Sequence, residues 1–127
     1  MVSIERRKAR SNVRSEAVRL YLEANAARAG VRAAVLSDAE GFLISGVGDV
    51  DKEILAAVGP LFVTGSAPRL SRMTEELLDQ VVQNHDLYAS KLEVQGTTLV
   101  LTSIGARFPE HRRAERAFQR IFSTPAV

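Results

Sequence analysis

The 127-residue chain contains no cysteine, which excludes disulfides, thiolate metal sites and cysteine nucleophiles. The absence also fits a reducing compartment. No stretch reaches the ~20 apolar residues needed to span a bilayer. The segment Met1 to Arg14 is basic but lacks the apolar run of a signal peptide. A cytoplasmic protein with no membrane span is therefore expected. Histidine is nearly absent too. His85 and His111 lie far apart and show no ligand spacing, so no metal is expected.

With 46% apolar residues in one domain's length, a conventional core is within reach. The net charge of +2 conceals an uneven distribution. Residues 1–32 hold eight basic and three acidic side chains, residues 33–106 hold four and ten, and residues 107–127 hold five and two. If the two basic ends meet in space, the molecule has a basic face and an acidic face.

Residues 1–11 read as a basic arm, followed by one domain over 12–127. A helix is predicted from Asn12 or Ser15, either of which could cap it, through Val18, Tyr21 and Leu22 to Ala29. Gly30 supplies the stop. Val31 to Ser37 reads as a strand, Asp38-Ala39-Glu40-Gly41 as a type I turn, and Phe42 to Ser45 as the return strand.

Asp49 or Asp51 then caps a second helix. From Ile54 to Val63 (ILAAVGPLFV) it carries no charge. Ile54, Val58, Leu61 and Phe62 form one stripe, while Ala56, Ala57, Pro60, Val63 and Thr64 occupy the other side. A helix covering a core on one side should show charge on the other. Either the helix is buried between layers of its own domain or its outer face meets a partner, and a chain of 127 residues favours the partner. Gly59-Pro60 is expected to kink this helix, and Gly65 and Pro68 to interrupt it again. Leu70 to Gln83 is compatible with helix or strand.

Leu87 to Val94 alternates in part, Gln95-Gly96 is a tight turn, and Thr97 to Ser103 is the best strand in the chain. Pro109 is expected to open the last helix. Its buried stripe would be Ala114, Ala117, Phe118, Ile121 and Phe122, with Arg112, Arg113, Arg116 and Arg120 on the other side.

This order of elements resembles the roadblock (dynein light chain) family, bacterial type. The residues carrying the resemblance are the Val31–Ile44 hairpin with its Asp38-Ala39-Glu40-Gly41 turn, then Asp51-Lys52-Glu53-Ile54-Leu55-Ala56-Ala57, then Leu87–Ile104. It covers about residues 12–122 and is a pattern of residue types and spacings. Two departures stand out. Gly59-Pro60 sits where the family helix runs on, and the family's first strand after that helix would have to be Leu77–Gln83.

The resemblance implies an α/β (α+β sandwich) fold with a central antiparallel sheet of four or five strands. The long helix would cover one face and the first and last helices the other. It also implies a homodimer formed through the long helix and the adjacent edge strand, with Ile54, Leu55, Val58, Leu61, Phe62 and Val63 shared between core and interface. Family members serve as adaptors and regulators of Ras-like small GTPases. A non-enzymatic adaptor with a small GTPase or other protein as partner is therefore the leading expectation.

Other chemistry is poorly supplied. Gly41, Gly46 and Gly48 precede a helix, but Asp49 and Asp51 stand where a phosphate loop needs Lys and Ser/Thr. The acid pairs Glu75-Glu76 and Asp49/Asp51 are explained by adjacent placement and by capping rather than by a catalytic cleft. No catalytic residue and no cofactor is expected. Arg6, Arg7, Lys8, Arg10 and Arg14, with Arg112, Arg116 and Arg120, form a candidate basic patch. Its alternative use is binding nucleic acid or an anionic surface, but no aromatics interleave the arm to stack on bases, and nucleic acid is not the expected partner.

Overall fold

The computed structural model describes residues 2–63, Glu76, Asp79, 86–109 and 111–123, with side chains from Val13 onward except His111. In chain order the elements are α1 (Val2–Ala29), β1 (Ala33–Asp38), β2 (Leu43–Val47), α2 (Lys52–Val63), β3 (Leu87–Val94), β4 (Thr97–Ile104) and α3 (His111–Ser123).

α1 begins at Val2, so the expected separation between a basic arm and a helix starting at Asn12 or Ser15 is corrected. Residues 5–10 (ERRKAR) are strong helix formers and carry the helix upstream of those polar residues. Ser15 instead donates from Oγ to the carbonyl of Ile44 at 2.9 Å, and Ser45 Oγ returns a bond to the Ser15 carbonyl at 2.8 Å. These two bonds fasten α1 to β2. The far end of α1 stops as read. Gly30 has φ +71°, and the Val31 N–H donates to the Ala26 carbonyl at 3.1 Å, closing a Schellman-type cap.

The hairpin turn is also as read, but its strands are shifted: β1 runs Ala33–Asp38 and β2 Leu43–Val47, so Phe42 lies outside the strand. Asp38 Oδ1 accepts from the N–H groups of Glu40 and Phe42, and Gly41 N–H donates to the Asp38 carbonyl. Asp51 caps α2, its Oδ1 accepting from Ile54 N–H at 3.2 Å. α2 continues through Gly59 and Pro60 to Val63. The predicted interruptions at Gly65 and Pro68 lie outside the described residues. So does most of Leu70–Gln83, within which Glu76 and Asp79 are helical. α3 starts at His111 rather than at Pro109.

The strands form an antiparallel sheet of order β2-β1-β4-β3, four strands among the described residues. Side chains alternate across it. Ala33, Val35 and Ile104 pack with Leu55 and Ala56 of α2. Ala34, Leu36, Leu92, Val94, Leu99 and Leu101 pack with Val18, Leu22 and Ala26 of α1 and with Ala114 and Phe118 of α3. α2 thus covers one face, and α1 and α3 share the other.

Candidate interaction surfaces

α2 meets the sheet with its small residues. Leu55, Ala56 and Gly59 face inward, and a Cβ built on Gly59 would lie 1.9 Å from Thr102 Oγ1. The sheet-facing stripe is therefore neither of the two stripes expected from the sequence. Close approach of helix and strand favours the smallest side chains over the largest.

The six candidate interface residues separate accordingly. Leu55 and Val58 are fully buried within the single chain and have no surface left for a partner. Ile54, Leu61 and Val63 are half-buried, and Phe62 is 40% exposed. The hairpin turn leans on the same helix: a Cβ on Gly41, where φ is +99°, would lie 3.1 Å from the Cα of Ala57.

Among the described residues β3 is an edge of the sheet, and α2 packs against it. Part of its outer backbone is already engaged by α3. Glu93 N–H donates to Glu115 Oε2 at 2.9 Å, and Gln119 Nε2 donates to the Glu93 carbonyl at 3.4 Å. Main-chain groups alternate in direction along an antiparallel edge, so those of Ala89 and Lys91 point outward on the same side as Glu93.

Across the sheet, Tyr21 of α1 packs edge-on against Phe118 of α3, with ring centroids 5.3 Å apart. Pro109, just before α3, lies by Asn25, Arg28 and Ala29 at the other end of α1. α3 therefore runs antiparallel to α1. Of the candidate basic patch, Arg112, Arg116 and Arg120 are exposed on α3 and Arg14 is half-buried on α1. Arg6, Arg7, Lys8 and Arg10 lie on the first turns of α1, where only the backbone is described. α1 and α3 share one layer, so the two basic ends of the sequence do share a face of the sheet.

The described acids of α1 and α3 are already engaged. Glu115 holds the β3 edge, and Arg19 pairs with Glu16 and Glu23 at 2.5 and 2.7 Å. The hydrogen bond from Arg19 holds the Glu16 carboxyl below its ordinary value.

Three exposed apolar side chains escaped the sequence reading: Val13, Leu20 and Phe42, at 62%, 54% and 68%. Val13 and Leu20 had a legible signal, since they stand one heptad apart on a helix. Phe42 had none, because alternation placed it in a return strand that in fact begins one residue later.

Among the described residues no group of three or more His, Asp or Glu could hold a metal ion, and no helix is long and apolar enough to cross a membrane. The fold defines an α+β protein with one four-stranded antiparallel sheet in its described part. No family model, curated protein or solved structure matches the chain, so its surfaces are read from its own residues.

Proposed function

We propose that the chain is a non-enzymatic homodimeric adaptor or regulator whose partner is a Ras-like small GTPase or a complex built around one. The observation that carries this reading is the outer side of α2. The helix has no charge from Ile54 to Val63, yet it leaves Phe62 exposed and Ile54, Leu61 and Val63 half-buried. Apolar surface at the end of an uncharged helix is the composition of an interface core. β3 stands beside it with outward main-chain groups at Ala89 and Lys91, so a second copy could bury both together. The resemblance in element order to the roadblock family supplies the GTPase, and the layering of helices on the sheet agrees with that resemblance.

The test is solution mass by light scattering over a dilution series, followed by titration with a Ras-like small GTPase in its GTP- and GDP-bound forms. The expected result is a dimer that persists to low concentration and whose dissociation constant rises about tenfold or more in Phe62→Ala. A strict monomer, or an unchanged constant in that variant, removes the support for the dimer. A dimer that ignores the GTPase in both nucleotide states removes the partner.

A further inference from the structure

α1 has two apolar faces, and among the described residues only one of them is packed. Val18, Leu22 and Ala26 are buried against the sheet and α3. On the opposite side stand Val13, Ala17, Leu20, Ala24 and Ala27, at alternating spacings of four and three residues. That is the spacing of a heptad seam, which presents a straight apolar line to another helix. Val13 and Leu20 are among the most exposed large apolar residues of the chain, and Ala24 and Ala27 are exposed as well.

The two flanks of this seam differ in charge. On one side lie Glu16, Arg19 and Glu23, joined to each other by ion pairs. The other flank, marked by Tyr21, faces α3. Arg14 and Arg28 stand one heptad before and after Tyr21 on that flank, and the Arg14 Nε is buried without a hydrogen-bond partner. α3 adds to the same side. Glu115 and Gln119 turn toward β3, so helical periodicity places Arg113 and Arg120 toward α1 and Arg116 on the outer surface. The result is an apolar ridge along the outer side of α1, flanked toward α3 by cationic side chains of both helices.

We propose that this α1 ridge, with the cationic flank it shares with α3, docks an amphipathic helix of a partner protein whose polar flank is acidic. The charge of the cationic flank selects the sign of the partner. The alanines select a helix: they let two helix backbones approach closely, whereas an in-plane membrane helix draws its affinity from bulky Trp, Phe and Leu side chains. A second copy of α1 fits poorly, since the heptad continues upstream into Arg10 and Arg6 and would set like charges against each other in a parallel pair. This surface lies across the sheet from α2 and does not depend on the dimer or GTPase reading.

The test uses the full chain and a synthetic helical peptide of about three heptads, with Leu and Ala at seam positions and Glu at flanking positions. A matched peptide with Lys in place of Glu and vesicles rich in phosphatidylserine are the competitors. Binding is followed by fluorescence anisotropy of labelled peptide and by vesicle co-sedimentation. The Glu peptide is expected to bind, and binding should weaken tenfold or more in Leu20→Glu and severalfold in Arg28→Glu. Leu20 is exposed, so the melting curve and the solution mass of Leu20→Glu should match the parent. Absence of Glu-peptide binding, equal binding of the Lys peptide, or insensitivity to Leu20→Glu overturns the proposal. Vesicle binding without peptide binding assigns the surface to an anionic bilayer instead. A change of solution mass in Leu20→Glu assigns the seam to self-association.

Discussion

The two faces of the sheet are built on opposite plans. Toward α1 and α3 the sheet presents Leu36, Leu92, Leu99 and Leu101, met by Leu22 and Phe118. Toward α2 it presents Ala33, Val35, Ser37, Thr102 and Ile104, met by Leu55, Ala56 and Gly59, with the closest approach at the Gly59–Thr102 pair. Large side chains hold the first pair of layers apart and fill the space between them. Small ones let the second pair close on each other. The outer surfaces invert this: α2 leaves Phe62 outside, while α1 leaves a line rich in alanine.

The comparison breaks first at Phe118. Its ring is fully buried and packs against Tyr21. Phe118→Ala should destabilise the chain by about 3–5 kcal/mol, through lost transfer energy and the cavity left behind. Urea denaturation would show the midpoint falling steeply, and a loss below ~1 kcal/mol would mean that the layer collapses around the gap.

The α2 face should fail in the opposite sense, by overfilling. Gly59→Ala normally gains about 1 kcal/mol of helix propensity. Here the added Cβ would lie 1.9 Å from Thr102 Oγ1 and 3.1 Å from Thr102 Cβ, so helix or strand must move. A net loss of about 1–3 kcal/mol is expected. The double variant Gly59→Ala, Thr102→Ala should recover part of it, read as a positive coupling in a double-mutant cycle. Additive effects would show that the two residues do not share the contact.

Much of this architecture was legible because local chemistry and global fold agree. The Asp38–Gly41 turn, the Asp51 cap, the Gly30 stop and the Thr97–Ser103 strand each rest on a residue whose backbone preference decides the conformation. Two things were hidden. The start of α1 followed helix propensity rather than the polar residues that resemble caps, because Ser15 had a tertiary partner in the Ile44 carbonyl. The inward face of α2 was missed because hydrophobic patterning ranks Phe62 above Gly59, whereas close packing buries Gly59 and leaves Phe62 at the surface. The candidate surfaces were half legible. The uncharged run and the arginine row could be read from the sequence, but which of the six α2 residues were already consumed by the core depended on tertiary packing.

The smallest effect is expected at Ser37, and it runs toward greater stability. Its hydroxyl is fully buried on the α2 side of β1 and has no hydrogen-bond partner, like that of Thr102 beside α2. A buried hydroxyl without a partner carries its desolvation cost uncompensated. Ser37→Ala removes that cost while deleting a single small atom, so the chain should gain about 1 kcal/mol. The same change on the opposite face would behave differently, since Ser103 Oγ there donates to the Ala106 carbonyl at 2.9 Å and would leave that carbonyl unpaired. Parallel urea curves should therefore move in opposite directions for Ser37→Ala and Ser103→Ala. If both lose stability, Ser37 has an acceptor in solution, and the α2 face is less dry than its packing indicates.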